Sequence, residues 1–291
     1  MRIAACCLML TLLMGCQTDE QSDTKSLTMG FVPSRSVHEI QIASDRIADY
    51  LSKKTGYRIK AITLSNYAAV AVAMKSERVD MAFVGPLNYL VIDQNVPVEP
   101  LTAAVRYGKK GYRGLIITRA DSGIHELSDL KGKSFIFGDR LSASASLYPQ
   151  AAMKNAGLDP HQDLRSLTMS SQTAIAMSVL RGKADAGAIY DDARENPEVL
   201  RYAGDIMDET RVIYRTELIP ADPQIVRRSL DSETKHTLKA ALLAMSSDPE
   251  ASSWLQEIYG IDRLEPASQE EYHALRDVAW LVAPDVLKSQ P

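Results

Sequence analysis

From residue 27 onward, short apolar runs alternate with stretches whose apolar positions recur at helical spacing. Leu27–Val32, Arg58–Leu64 and Val79–Val84 read as strands, the last ended by Gly85-Pro86. Over Ser36–Thr55, the residues Ile40, Ala43, Ile47, Tyr50 and Leu51 share one helical face, and Gly56 stands where that helix stops. Ser65 or Asn66 can cap an Ala-rich helix over Tyr67–Lys75. Beyond these, Tyr112–Thr118, Ser134–Phe137 and Arg211–Arg215 predict strands. Leu147–Ala156, Ser232–Met245, Pro249–Tyr259 and Tyr272–Val282 predict helices, the last introduced by a capping-box pair, Ser268 and Glu271. This order of elements predicts an α/β fold with largely parallel sheets.

One phrase occurs twice. Ala71–Val84 (AVAMKSERVDMAFV) is a helix end, a charged turn, an Asp and a buried strand; Ala174–Ile189 (AIAMSVLRGKADAGAI) repeats the plan with Asp80 and Asp185 in register. The repeat predicts two similar lobes, although helix–turn–strand units are common. Tyr112–Thr118 and Arg211–Arg215 are candidates to carry the chain between them. The C-terminal helices show no concentration of chemistry and read as packing.

The first residues change the picture of where the chain works. Behind Met1-Arg2, the apolar run Ile3–Leu13 spans 11 residues, too short for a bilayer, which needs about 20, but suited to the core of a signal peptide. It closes on Leu13-Met14-Gly15-Cys16, which resembles a bacterial lipobox, with Met14 larger than usual. We therefore expect residues 1–15 to be a signal peptide and Cys16 to carry the lipid. Residues 16–26 are polar and aperiodic and read as a disordered tether. Cys6 and Cys7 leave with the leader, so the remaining 276 residues must hold together by packing without disulfides. The net charge of −4 with intermixed signs argues against a nucleic-acid partner.

Chemistry concentrates in Lys133–Gly157 (KSFIFGDRLSASASLYPQAAMKNAG). Gly138-Asp139 breaks a strand, and Ser142, Ser144 and Ser146 crowd the start of a helix whose first turn tolerates Pro149. A helix N-terminus offers unpaired N–H donors and a partial positive charge, so with added hydroxyls it can hold an oxyanion without a cationic side chain. Read alone, such a loop is equally a helix cap. Asp191-Asp192 follow the repeated strand at its carboxyl end, where ligands gather in open α/β sheets, and Leu218–Pro223 (LIPADP) places Asp222 in a proline-bracketed loop. Each acid could also be a solvated or capping residue. Tyr89, after Gly85-Pro86-Leu87-Asn88, either lines a cleft or packs.

From about Leu27 to Leu230 the chain resembles the periplasmic binding proteins of phosphonate/phosphite ABC transporters. Their Asp-x-x-Ser-Thr-Ser-Gly-x-x-x-Pro pattern is similar to Asp139-Arg140-Leu141-Ser142-Ala143-Ser144-Ala145-Ser146-Leu147-Tyr148-Pro149, and their Ile-Pro-x-Asp-Pro loop to Ile219-Pro220-Ala221-Asp222-Pro223. Val79-Asp80, Gly111-Tyr112 and Ser128-Asp129-Leu130-Lys131-Gly132-Lys133 extend the likeness. The resemblance implies a type II periplasmic-binding-protein fold: two α/β lobes joined by two crossover strands, with a ligand cleft between. Lobe 1 would comprise 27–111 plus 216–291, and lobe 2 residues 112–215. By the same resemblance Ser142 and Ser144 donate to the phosphorus oxygens, and Tyr67 and Tyr112 close over the ligand. Asp222 would face its protonated or cationic side, and Asp192 an amino group where the ligand has one. Two positions depart from the pattern: Ala143 replaces the central Thr, and Gln172 stands where the family has a His, exchanging a titratable donor for a neutral amide.

The expected function is that of a lipid-anchored, monomeric solute-binding protein of an ABC importer, exported to the periplasmic face of a bacterial membrane. It would bind a small phosphorus oxyanion and deliver it to the permease, without cofactor or metal. The alternative is a sensory module of the same fold that presents a bound anion to a membrane receptor. An enzyme finds little support: Gly-x-Ser-x-Gly, His-Glu-x-x-His and paired Cys motifs are missing, and the five His are scattered.

Overall fold

The computed structural model describes residues 24–288. The leader, Cys16 and the tether as far as residue 23 lie outside the described residues. The tether expectation is two residues too long: Ser26 is already paired with Arg58 in a parallel ladder, and Lys25 bonds Asp231 and Thr234.

The chain builds two mixed sheets. The first orders its strands β11 (Arg263–Pro266), β4 (Val98–Val105), β10 (Pro223–Arg227), β3 (Met81–Phe83), β1 (Ser26–Phe31), β2 (Arg58–Thr63). The second orders them β7 (Arg165–Thr168), β6 (Ser134–Phe137), β8 (Ala186–Tyr190), β5 (Gly114–Arg119), β9 (Thr210–Arg215). In each, three strands linked through helices run parallel (β2-β1-β3 and β7-β6-β8), and the neighbour of the third runs antiparallel. The sheets are therefore less parallel than the sequence pattern predicts. Only β1-α-β2-α-β3 and its counterpart have helical crossovers, which a parallel pair requires; β10 and β5 enter from the opposite lobe and run the other way.

Helices cover the sheets: α1 (Val37–Thr55), α2 (Tyr67–Lys75), α3 (Pro86–Asn95), α4 (Tyr148–Asn155), α5 (Gln172–Leu180) and α6 (Pro197–Tyr202), then C-terminal helices over Ser232–Met245, Pro249–Tyr259 and His273–Val282. Gly56 ends α1 at φ 76°, and its N–H bonds the Ser52 carbonyl, a left-handed cap that an L side chain would strain. The two passages between the sheets are residues 106–113 and 216–222, tied to each other by the antiparallel Tyr112–Ile219 bridge. The expected carriers, Tyr112–Thr118 and Arg211–Arg215, lie mostly inside the second sheet instead. Leu115 and Ile117 pack on one face of that sheet and Ile116 on the other, so both faces are covered and alternation is lost. Leu141, Ala143, Leu147 and Tyr148 from the second lobe join the core of the first, which fixes how the lobes meet.

The repeat has a structural counterpart. Asp80 precedes β3 and accepts from the Thr28 N–H of β1; Asp185 precedes β8 and accepts from the Ser134 N–H of β6. Each Asp thus ties a strand to its parallel neighbour. Their surroundings differ: Asp80 is buried against Arg227 at 2.6 Å, whereas Asp185 is half-exposed and lies 3.8 Å from Arg165. Removing a partner from a buried ion pair costs about 3 kcal/mol or more, against about 1 kcal/mol for an exposed hydrogen bond. Asp80→Ala should accordingly lower the urea-unfolding midpoint well beyond Asp185→Ala, and equal effects would contradict this difference in burial.

Candidate functional site

The carboxyl ends of both parallel half-sheets face one another, the position where open α/β sheets collect ligands. Tyr67 is the first residue of α2 and Gln172 the first of α5. They stand 105 residues apart, the same interval that separates Asp80 from Asp185. Their caps match too, Asn66 accepting from the Ala69 N–H and Ser171 from the Ala174 N–H. The Tyr67 N–H reaches across to Asp139 Oδ2 at 3.4 Å, and the Gln172 N–H to the Ser34 carbonyl at 3.1 Å. A free amide at each helix start is thus satisfied by the opposite lobe.

The serine-rich segment forms a single wide π-type turn over Ala143–Leu147 that runs directly into α4. Ser142 caps it, its Oγ accepting from the Ala145 N–H at 3.2 Å and from Gln172 Nε2 at 3.4 Å, which leaves its own proton free to donate. The Ser144 hydroxyl and the N–H groups of Ala143 and Ser144 have no hydrogen-bond partner among the described residues. Two glycines let the turn approach. A Cβ at Gly114 would lie 2.3 Å from the Ser144 carbonyl oxygen, and one at Gly138 2.4 Å from the Ala145 Cβ.

These groups enclose a cavity of about 50 Å³, a few times the 10–15 Å³ that one water requires. Ser142, Ala143, Ser144, Tyr67, Tyr112, Gln172 and Asp222 all line it. So do Asp191, one of the two adjacent acids singled out in the sequence, and residues that sequence reasoning missed: Ser34, Arg35, Arg106, Tyr190 and Tyr259. Arg106 Nη2 bonds Asp222 Oδ2 at 2.8 Å, its Nε bonds the Tyr259 carbonyl at 2.9 Å, and its guanidinium lies 5.6 Å from the centre of the Tyr112 ring. This pairing compensates the Asp222 charge, yet Asp222 Oδ1 and Gln172 Oε1 stay buried with no hydrogen-bond partner among the described residues. The Tyr112 and Tyr67 hydroxyls lie close to Asp222 and Gln172 respectively. Burial, and then the Asp139 and Asp222 charges, push the Tyr67 phenol far up, and burial followed by Asp222 does the same to Tyr112. Both therefore remain neutral donors at any physiological pH.

Two expected site residues lie elsewhere. Tyr89 is buried in the first lobe's core, edge-on to Tyr272 with ring centres 4.9 Å apart; it sits on an inner turn of α3, facing the C-terminal helices. Asp192 is committed to Arg194, which it holds at 2.7–3.2 Å through both oxygens while capping the turn that follows. Its neighbour Asp191 faces the cavity instead and lies 3.3 Å from Arg215. Arg35 and Arg106 gave no sequence signal beyond charge, because each reaches the cavity from a loop or strand end outside every recognisable motif. Among the described residues no helix is long and apolar enough to cross a membrane, and no group of three His, Cys, Asp or Glu could hold a metal ion.

A second contact across the lobes involves two acids. Glu39 on α1 lies close to Glu198 on α6, and burial, followed by the neighbouring Glu198 carboxyl, raises Glu39 from 4.5 to about 7 against the opposing pull of Arg35 and Arg201.

The family model for the periplasmic phosphonate substrate-binding protein of ABC transporters matches residues 29–272, and the chain belongs to that family. The phosphate-import protein PhnD of Mycolicibacterium smegmatis is 26% identical over 253 residues, covering 81% of this chain and 78% of that protein. The phosphonates-binding periplasmic protein of Escherichia coli is 26% identical over 255 residues, covering 85% and 74%. Among solved structures, the binding component of a phosphonate ABC transporter from Pseudomonas aeruginosa superposes with a TM-score of 0.81 at 23% identity, over 89% of this chain and 87% of that one. The fold is the type II periplasmic-binding-protein fold, and the family is one of periplasmic transport proteins rather than enzymes.

Two outcomes follow from this site. Gly114→Ala should push the serine turn out of place and weaken substrate binding by about tenfold or more, equivalent to at least one lost hydrogen bond, while far-ultraviolet circular dichroism stays unchanged; undiminished binding in calorimetry would contradict the role given to this close approach. Because Glu39 keeps its proton up to about 7 in this arrangement, whereas an ordinary glutamic acid loses it near 4.5, the arrangement of the lobes is supported fully below 4.5 and loses that support as pH rises through 7. Ligand affinity should therefore fall more steeply between pH 5 and 8 in the wild type than in Glu39→Gln, measured side by side with the same ligand.

Proposed function

We propose that the cavity binds a small, singly protonated phosphorus oxyanion of the phosphonate, phosphite or phosphate class, and that the protein delivers it to an ABC permease. The observation that carries this reading is the pairing of neutral donors with one leftover acceptor. Ser142, Ser144, the turn amides, Tyr67 and Tyr112 offer donors without net charge, while Asp222 Oδ1 is a buried acceptor that needs a donor. An oxyanion retaining a P–OH group satisfies both, whereas a fully deprotonated anion such as sulfate would set an oxygen lone pair against the carboxylate. The names of relatives agree in class, one with phosphate and one with phosphonates.

In this reading Ser142, Ala143 and Ser144 hold the phosphorus oxygens, Tyr67 and Tyr112 close over them, and Gln172 supplies an amide from the second lobe. Lobe 1 is formed by 27–111 with 216–291 and lobe 2 by 112–215, hinged at the two passages. The protein acts as a monomer, tethered through a lipid on Cys16 after removal of residues 1–15. Its lipobox-like Leu13-Met14-Gly15-Cys16 sequence supports that anchor.

Calorimetry with phosphate, phosphite, methylphosphonate, aminoethylphosphonate and sulfate tests the reading directly. At least one phosphorus oxyanion should bind well above sulfate at neutral pH, and Asp222→Asn should narrow that gap by about tenfold or more, as for a charged hydrogen-bond partner removed from a buried site. Sulfate binding as tightly as every phosphorus oxyanion would overturn it.

A further inference from the structure

The small cavity has a larger neighbour. Beyond it, between the lobes, lies a wider space of about 610 Å³, within the size range of pockets that hold whole organic ligands. Arg35, Arg106, Tyr190, Asp191 and Tyr259 line both spaces, and of these Arg35 and Tyr190 are hydrogen-bonded to each other from opposite lobes. Arg35 follows β1 in the first lobe, and Tyr190 ends β8 in the second. Arg35 Nε donates to the Tyr190 hydroxyl at 3.1 Å, and the guanidinium lies 5.7 Å from the centre of the Tyr190 ring. On its other side Arg35 Nη1 donates to the Glu257 carbonyl at 3.0 Å. That carbonyl belongs to the last turn of the Pro249–Tyr259 helix, where carbonyls lack helical partners and a cation is favoured. Arg35 is buried, with 8% of its surface exposed, and its position is set by protein groups on both sides.

Given the binding function proposed above, we infer that the Arg35–Tyr190 pair is a specificity-determining partition that closes the anion cavity against the outer space and so limits how long a substituent the ligand can carry. A cavity of about 50 Å³ has room for the oxyanion head and little else. A longer tail directed toward the outer space meets this shared wall, and passing it at Arg35 and Tyr190 breaks their hydrogen bond and strands buried donors of a charged group. The outer space could house such a tail only when the partition is open. Arg35 acts here as a wall held by a helix end, in contrast to a cation that grips the anion.

The test is a calorimetric series of methyl-, ethyl-, propyl- and phenylphosphonate on the wild type, Arg35→Ala and Tyr190→Phe. Wild-type affinity should fall by at least about tenfold between methyl- and propylphosphonate, a fall typical of one or two methylenes without room. Arg35→Ala should flatten or invert the series, improving propylphosphonate relative to methylphosphonate by a similar factor, and Tyr190→Phe should move the same way by less. A flat wild-type series would overturn the partition, as would an Arg35→Ala loss that is equal for all four ligands, because that result assigns Arg35 to the anion itself. If Arg35→Ala does not fold, the wild-type series and Tyr190→Phe decide the matter alone. Failure of the wild type to bind any phosphorus oxyanion, phosphate and phosphite included, would remove the proposed function and the partition with it.

Discussion

A helix that begins at the edge of a sheet leaves its first amides without partners, and this chain begins two such helices on opposite sides of one gap. The Tyr67 N–H of α2 is satisfied by Asp139, and the Gln172 N–H of α5 by the Ser34 carbonyl. Neither bond exists unless the lobes are together. The closed arrangement therefore depends on polar backbone that each lobe cannot satisfy by itself. Much of the remaining interior of the cleft follows from this constraint, since the side chains of those same two residues, and the serine turn beside them, are carried to the cavity by the elements that must meet.

The electrostatic character of the site follows from the same economy of charge. The cavity is lined by two acids and two guanidinium groups, but the cations are occupied, Arg106 by Asp222 and the Tyr259 carbonyl and Arg35 by the Tyr190 hydroxyl and the Glu257 carbonyl, while Asp191 lies against Arg215. What remains available to a ligand is largely neutral, consisting of serine hydroxyls, turn amides and phenols whose protons burial retains. Neutral donors hold an anion while leaving the net charge of the site to be set by the ligand's own protonation, and the unpartnered oxygen of Asp222 makes that protonation matter.

Most of the scaffold was legible in the sequence because its signals are local. Period and caps located α1, α2 and the Ser232–Met245 and Pro249–Tyr259 helices, and the Asp80/Asp185 register disclosed two equivalent strand–helix–strand units. The strands β4 and β10 were not legible. The β4 run is interrupted by Glu99, Pro100 and Thr102, β10 has only Ile225 and Val226 as an apolar pair between polar ends, and the place of β10 in the sheet is dictated by a chain returning from the other lobe. In the site, hydroxyl-bearing and acidic residues in compact motifs could be read, whereas Arg35, Arg106 and Tyr190 could not, since tertiary geometry alone brings isolated residues to a cavity. Asp191 and Asp192 show the finest limit: adjacent acids at one strand end point to different partners, and only the fold decides which meets the cavity.

The repeat also explains how the site can be symmetric in construction and asymmetric in chemistry. Tyr67 and Gln172 occupy equivalent first positions on equivalent helices, so the backbone offers the same opportunity twice. The two side chains use it differently. A deeply buried phenol from the first lobe contributes an apolar ring and a donor that does not titrate near neutrality, while an amide from the second lobe can present either a donor or an acceptor by rotating. A ligand with one protonated and several unprotonated oxygens fits such a pair in more than one orientation only if the other groups permit it. Asp222 on one side and the serine turn on the other remove that freedom, because a hydroxyl placed at the turn would leave Asp222 facing an unprotonated oxygen. For the protonated oxyanion proposed above, a fixed orientation gives the remaining substituent a single direction, and the width of the opening it would meet at Arg35 and Tyr190 then bears on recognition alongside the hydrogen bonds to its head.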